Sequence, residues 1–241
     1  MVSVVIPTYN EAGCLSATLD SVANSKAKKE VIVVDAGSQD GTPEEAVKKG
    51  SRLLLSTRRQ RAYQMNAGAQ QARGCFLLFL HADTVLPASA LDHIESFLSK
   101  NQIVGGGFAR RYDSNSWFLR TTCLLADLRI KWTGWFLGDQ AIFIRRETFQ
   151  RLGGFQDLDL FEDLDFSRRM AKAGQVVTLL PPVISSSRRF QARGELLTTV
   201  SDVWLTFRYL TGADPNTLAK TRRALCQRRT ANGDLLVKHR P

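Results

Sequence analysis

Short apolar runs alternate with longer stretches of helix-forming residues through the first half of the chain. The runs are VSVVIP, EVIVVD, RLLLS and CFLLFL. Strands so continuously apolar are expected to be buried on both faces, as in a parallel sheet covered by helices, and the alternation reads as βαβ. Ligands of such sheets bind beyond the carboxyl ends of the strands. The functional candidates are therefore the segments that follow each run: Pro7 to Glu11, Asp35 to Asp40, Ser56 to Arg61, and His81 to Thr84.

The second half has a different texture. VGGGFARRYD reads as a glycine-rich strand whose backbone something else approaches closely. It is followed by WFLRTTCLLADLRIKWTGWFLG, in which aromatics and leucines mix with Arg120, Arg129 and Lys131, and then by a strand, QAIFIRR. The acidic stretch DLDLFEDLDFSRRMAKAG passes into a helix expected to end at Gly174. No internal repeat or low-complexity linker is visible.

Composition narrows the class. With 241 residues, 44% of them hydrophobic, the chain can bury a full core. The formal net charge of +10 favours anionic partners without choosing among nucleotide, nucleic acid and acidic membrane. From Ser186 onward Lys and Arg number eleven against four acidic residues, so most of the excess charge lies in the tail. Four scattered cysteines, Cys14, Cys75, Cys123 and Cys226, show no zinc spacing and are expected to be reduced and mostly buried. A strand begins right after Met1, with no basic leader, and no apolar run reaches the ~18 residues of a spanning helix, so a cytosolic protein is expected.

Asp83 interrupts the run LLFLHADT. The ordinary explanation of an aspartate after a strand is a turn or helix cap, for which Thr84 or Ser89 would also serve. Its company argues otherwise. Asp35 also ends a strand, before AGSQDGT with its second carboxylate Asp40, and Pro7, Thr8, Tyr9, Asn10 and Glu11 end the first. Three polar clusters on one rim suit a nucleotide-sized pocket, although the Walker A and GxGxxG loops are absent. Asp83 would then bind Mg²⁺ or Mn²⁺ on a diphosphate. His81 could touch the metal, the ribose or only Asp83. Arg58, Arg59 and Arg61 offer planar forks to the diphosphate or base, or else form a solvated helix start.

Taken in order, VVIPTYNE, VIVVDAGSQDGT, RQRAYQMNAGAQQARG, LLFLHADT and FEDLDFSRRMAKAG resemble the successive motifs of family-two nucleotide-sugar glycosyltransferases, over residues 2 to about 190. Finer details such as HADT and GDQAIFIRRETFQRLGGF resemble the bacterial subgroup associated with radical-SAM and selenodomain proteins. The resemblance implies an α/β, GT-A fold with a mostly parallel sheet. It implies one domain over 1–190, with 1–100 binding the nucleotide sugar and 101–190 holding acceptor and catalytic groups, followed by a basic helical extension over 191–241.

It also implies roles. Pro7, Thr8, Tyr9, Glu11, Asp35, Arg61 and Asp83 would bind the donor. Asp83 matches the second aspartate of the metal-binding motif, whose first is here His81. Asp163 matches the base of an inverting transfer from a nucleoside-diphosphate sugar to a hydroxyl acceptor, and Glu162 its neighbour in the motif. Asp139 and Gln140 would face donor sugar or acceptor. Asp157, Asp159 and Asp165 crowd the same stretch, and any one carboxylate there could simply favour a helix amino terminus.

The aromatic-basic segment is expected either to pack on the sheet or to line an acceptor or lipid surface. The tail could support peripheral contact with the inner membrane surface, or a homodimer. Nucleic-acid binding is disfavoured, because the aromatics lack RNA-binding signatures and the charge lies away from the motifs. A sugar-phosphate nucleotidyltransferase would want a glycine-rich, arginine-containing first loop, and PTYNEAG is not one. A lapsed transferase that still binds a nucleotide sugar draws its support from His81.

Overall fold

The structure, a computed structural model, describes residues 1–99 and 102–225. The last stretch of the basic extension, with Cys226, lies outside the described residues. One compact unit comprises Met1–Asp157 and Glu162–Ser186; a second comprises Leu158–Phe161 and the chain from Ser187 on.

The first unit is built on an eight-stranded mixed sheet: β1 (Val2–Thr8), β2 (Lys29–Asp35), β3 (Arg52–Leu55), β4 (Phe76–Phe79), β5 (Thr84–Val85), β6 (Ile103–Tyr112), β7 (Ile142–Arg145) and β8 (Gln175–Ser185), in the spatial order β3-β2-β1-β4-β7-β6-β8-β5. β1 pairs parallel with β2 and β4, and β2 with β3. β7 runs antiparallel to both β4 and β6. The carboxyl ends of β1, β2, β4, β6 and β8 therefore share one rim with the start of β7.

Alternation along the strands divides the core into two layers. Val2, Val4, Ile6, Leu78 and Leu80 pack with Leu15, Leu19 and Val22 of α1 (Ala12–Ala23) and with Leu91, Ile94 and Leu98 of α4 (Ala90–Leu98). Val5, Ile32, Val34, Leu77 and Phe79 face the other way. They meet Met65 and Ala69 of α3 (Arg61–Gln71), Ile130 of α5 (Trp117–Thr133), Phe149 of α6 (Arg146–Arg151), and Phe166 and Met170 of α7 (Glu162–Ala173). The period-two pattern needs this double cover. A short α2 (Thr42–Lys48) lies between β2 and β3.

Two expectations change. RLLLS is not buried on both faces: β3 is the sheet edge, and Leu55 is 76% exposed. Cys75 is exposed and Cys14 half-buried, leaving Cys123 as the buried thiol among those described. The close approach foreseen at VGGGF is made by the chain itself. A Cβ on Gly106 would stand 2.0 Å from the Val177 carbonyl oxygen of β8, and one on Gly107 would stand 2.5 Å from the Phe136 ring.

In the second unit, α8 (Arg188–Arg193) leads to α9 (Glu195–Leu210). Leu160, Leu205, Leu218 and Ala219 form its small core, and Phe161 stacks on Tyr209 with ring centres 4.8 Å apart.

Candidate active site at the sheet rim

The ends of β1 and β2 are knotted through Asp35. Its Oδ1 accepts hydrogen bonds from Thr8 Oγ1 at 2.9 Å and Ser38 Oγ at 2.5 Å, and its Oδ2 from the N–H groups of Gly37 at 2.9 Å and Ser38 at 2.8 Å. That fills the roughly four acceptor positions of a carboxylate, so Asp35 shapes the loop. The neighbouring turn is tied to it: Asn10 N–H donates to Ser38 Oγ, Glu11 N–H to Thr42 Oγ1, and Ala12 N–H to Asp40 Oδ2. Thr42 also donates to Asp40 and draws that carboxyl below its ordinary value. Gln64, which sequence reasoning did not single out, is 3% exposed and donates from Nε2 to the carbonyls of both Thr8 and Val34. Pro7 and Thr8 are buried, while Tyr9 and Glu11 are partly exposed on the rim.

The three arginines after β3 separate. Arg58 makes a two-pronged pair with Asp157, at 3.0 Å for each contact, and the Arg59 guanidinium lies over the Tyr9 ring, 3.4 Å from its centre. Arg61, at the start of α3, is exposed and forms no hydrogen bond or ion pair among the described residues, and its charge is felt at His81.

Asp83 caps no helix, since α4 begins at Ala90. His81 and Asp83 follow β4, and His81 packs against the 3₁₀ turn Gly138–Gln140 that opens β7. A Cβ on Gly138 would lie 2.5 Å from His81 Nε2 and 3.2 Å from Asp163 Oδ2, so glycine is what allows the ring and the carboxylate to flank this turn. Gly138 N–H donates to Asp163 Oδ2 at 2.6 Å, and Leu164 N–H donates to Oδ1 at 2.7 Å.

The crowded acidic stretch thus sorts itself by partner. Asp157 pairs with Arg58, Asp165 with Arg169 at 2.8 Å and, within the second unit, Asp159 with Arg223 at 3.2 Å. Glu162 is 6% exposed. Asp163, on the first turn of α7, is held by backbone N–H groups.

Burial pushes the His81 imidazole below its ordinary value. Arg61 adds to this, and Asp83, Asp139 and Asp163 oppose it. Two further cations reach the site: Arg110, which the sequence did not single out, and Arg129, named there only as part of the aromatic-basic segment. Arg110, 7% exposed near the end of β6, pairs with Asp139; burial works against its charge, but Asp139 more than offsets this and holds it above the ordinary value. Arg129 of α5 donates to Gln140 Oε1 at 3.1 Å and is lowered mainly by burial and by Arg110, against the pull of Asp139 and Asp163. Gln140 itself is fully buried and also accepts from Leu137 N–H. Two adjacent arginines, Arg110 and Arg111, near the end of an otherwise apolar, glycine-rich strand were the available signal for Arg110. Ser185 Oγ of β8 closes the rim by donating to the Asp139 carbonyl at 3.0 Å.

Among the described residues no three His, Cys, Asp or Glu side chains are arranged to hold a metal by themselves. The donor set at the rim, Asp83 with His81 beside it, fits an ion carried chiefly by phosphate oxygens and water.

The profile of "Glycosyl transferase family 2" matches residues 3–153. A PGL/p-HBAD biosynthesis glycosyltransferase of Mycobacterium bovis is 30% identical over 224 residues, which are 84% of this chain and 81% of that one. An undecaprenyl-phosphate 4-deoxy-4-formamido-L-arabinose transferase of Aeromonas hydrophila is 32% identical over 158 residues, 60% of this chain and 48% of that one. The chain therefore spans less than half the length of that relative. Among solved structures, the mannosyltransferase PcManGT from Pyrobaculum calidifontis, in complex with GDP-Man and Mn²⁺, superposes with a TM-score of 0.63 at 26% identity, covering 77% of this chain and 56% of that one. The chain belongs to glycosyl transferase family 2, and its fold is that of the GT-A glycosyltransferases.

Proposed function

We propose that this family-two chain moves a sugar, with inversion, from a nucleoside-diphosphate sugar to a hydroxyl acceptor, with a divalent metal assisting. The observation that carries the reading is the half-buried imidazole of His81, which flanks Gly138 together with Asp163 and feels the charges of Arg61, Asp83, Asp139 and Asp163. One cation is left for a diphosphate, one carboxylate follows β4, and one carboxylate is fixed across the 3₁₀ turn.

In this reading Pro7, Thr8, Tyr9 and Glu11 border the nucleoside, Asp35 holds the loop beneath it, and Arg61 meets the diphosphate. Bound at Asp83, with His81 alongside, Mg²⁺ or Mn²⁺ supplies charge neutralisation to the leaving nucleoside diphosphate. Asp163 takes the acceptor proton as the acceptor oxygen bonds to the anomeric carbon and the bond from that carbon to the diphosphate oxygen breaks. The Gly138 N–H aims the Asp163 carboxylate. Glu162 supports the same turn of α7, while Asp139 and Gln140, steadied by Arg110 and Arg129, border the sugar or acceptor.

Residues 1–190 would act as the transferase domain, 1–100 binding the donor and 101–190 the acceptor, with 191–241 as the basic extension. The subgroup associated with radical-SAM and selenodomain proteins is the finer assignment, supported by HADT and by GDQAIFIRRETFQRLGGF. We place the protein in the cytoplasm, peripheral at the inner membrane surface. The net charge of +10 supports this, as does the similarity to the Aeromonas undecaprenyl-phosphate 4-deoxy-4-formamido-L-arabinose transferase. No helix among the described residues is long and apolar enough to cross a membrane.

The test is calorimetric titration with UDP, GDP and their sugar conjugates in Mn²⁺, Mg²⁺ or EDTA, on the wild type and Asp83→Ala. Metal-dependent binding lost in Asp83→Ala is expected. Equal binding by the variant would remove Asp83 from the donor site.

A further inference from the structure

Helix α5 is apolar on two faces. Leu119, Cys123, Ala126 and Ile130 recur at helical spacing and are buried, and they seat the helix on the first unit. Trp117, Leu124, Leu125, Leu128 and Trp132 form a second stripe. They are 76%, 57%, 60%, 55% and 87% exposed. A soluble helix is expected to be polar on the side away from its core. Here that side carries a tryptophan at each end and leucines between them, with exposed Arg120 and Lys131 along one flank. The tryptophans are separated by about 22 Å at 1.5 Å per residue.

We infer that this stripe lies in the plane of an anionic lipid surface, with its tryptophans and leucines in the headgroup boundary and Arg120 and Lys131 against lipid phosphates. Three observations favour this occupant over another protein. Tryptophan and leucine on one face with cations beside them is the composition of an interfacial helix. Helix α5 itself carries Arg120, Arg129 and Lys131 against the single carboxylate Asp127, a positive balance that attracts an acidic surface. The buried side of the same helix supplies Arg129, which bonds Gln140 next to Asp139, so docking through α5 brings the candidate active site to the surface where a lipid-borne acceptor hydroxyl would be presented. The inference rests on the peripheral location proposed above and names the surface that makes the contact.

The test compares the full chain with the triple variant Trp117→Ser, Leu128→Ser, Trp132→Ser. All three side chains are exposed, so thermal melting and donor binding should match the wild type. Partition is measured by co-sedimentation with vesicles of phosphatidylcholine alone or mixed with phosphatidylglycerol, and depth by quenching of tryptophan emission with brominated lipid. The wild type is expected to bind the anionic vesicles with quenched emission. The variant should partition about a thousandfold more weakly, since each of the three lost apolar groups is worth roughly tenfold. Equal partition of the variant would overturn the α5 assignment while leaving a peripheral location standing. A wild type that ignores both vesicles yet binds a nucleotide sugar would overturn the membrane inference and leave the transferase reading intact. Light scattering that shows a dimer dissolved by the triple substitution would give the stripe to a second copy of the chain instead.

Discussion

The N–H of Gly138 and the carboxylate of Asp163, 2.6 Å apart, join the turn that opens β7 to the first turn of α7. His81 packs against the same glycine, where a Cβ would stand 2.5 Å from its Nε2. Gly138→Ala must therefore move the ring, the turn or the carboxylate. Displacement of a reacting group by about 1 Å can cost about a hundredfold. We expect kcat to fall by about that factor with donor affinity unchanged, as read from single-turnover kinetics beside calorimetry. Wild-type kcat in this variant would show that the contact does not aim the base.

Asp163→Asn keeps an oxygen for the Gly138 N–H and removes the proton acceptor. General-base catalysis contributes about 10² to 10⁴ in rate, and a loss of kcat in that range is expected with unchanged nucleotide binding and a somewhat lowered melting temperature, since the Leu164 N–H loses its acceptor. Asp165→Asn, which disturbs only the pair with Arg169, should leave kcat near wild type. If the two variants behave alike, the assignment of the base is wrong.

Arg58 and Arg61 make a matched pair for substitution. Arg58 is already engaged by Asp157, whereas Arg61 has no ion-pair or hydrogen-bond partner among the described residues. A charge-assisted hydrogen bond is worth about 1.5–3 kcal/mol, so Arg61→Ala should weaken UDP or GDP binding by about ten- to a hundredfold. Arg58→Ala should change it little. The reverse ranking in a titration would move the diphosphate to the other side of the loop.

Arg110 and Asp139 form a pair whose arginine is 7% exposed. Removing one member of a buried pair leaves a charge without compensation, at a cost of about 3–5 kcal/mol. Arg110→Met should therefore lower the urea midpoint strongly, and adding Asp139→Asn should restore part of the loss. Additive effects in this double-mutant cycle would mean that the two side chains are not coupled in solution.

The legibility of the sequence followed its physics. β1, β2 and β4 are buried on both faces, so an unbroken apolar run marked each of them. RLLLS carried the same signal, but β3 lies at the edge, and apolar content does not say how many neighbours a strand has. β8 escaped notice because Pro181 and Pro182 interrupt it, and proline within a run argues against a strand. Asp35 and Asp83 stood out as carboxylates at the ends of apolar strands, whereas Asp163 was set apart from its acidic neighbours only by the resemblance of FEDLDFSRR to the family motif. Gln140 was expected beside sugar or acceptor through the resemblance alone, and its tie to Arg129 was not legible, because nothing local joins a residue of α5 to a turn eleven positions later. The sorting of Asp157, Asp159 and Asp165 from Asp163 likewise needed their arginine partners, two of which lie in distant parts of the chain.

The knot around Asp35 bears on the heat signature of ligand binding. With Thr8, Gly37 and Ser38 all bound to one buried carboxylate, the loop proposed to lie beneath the nucleoside has lost its conformational freedom during folding. Ordering a floppy loop costs a ligand roughly 1–2 kcal/mol of backbone entropy per residue. A nucleoside settling against this one meets a rigid floor, so its association should be fast and should show little of the entropic penalty that marks coupled folding and binding.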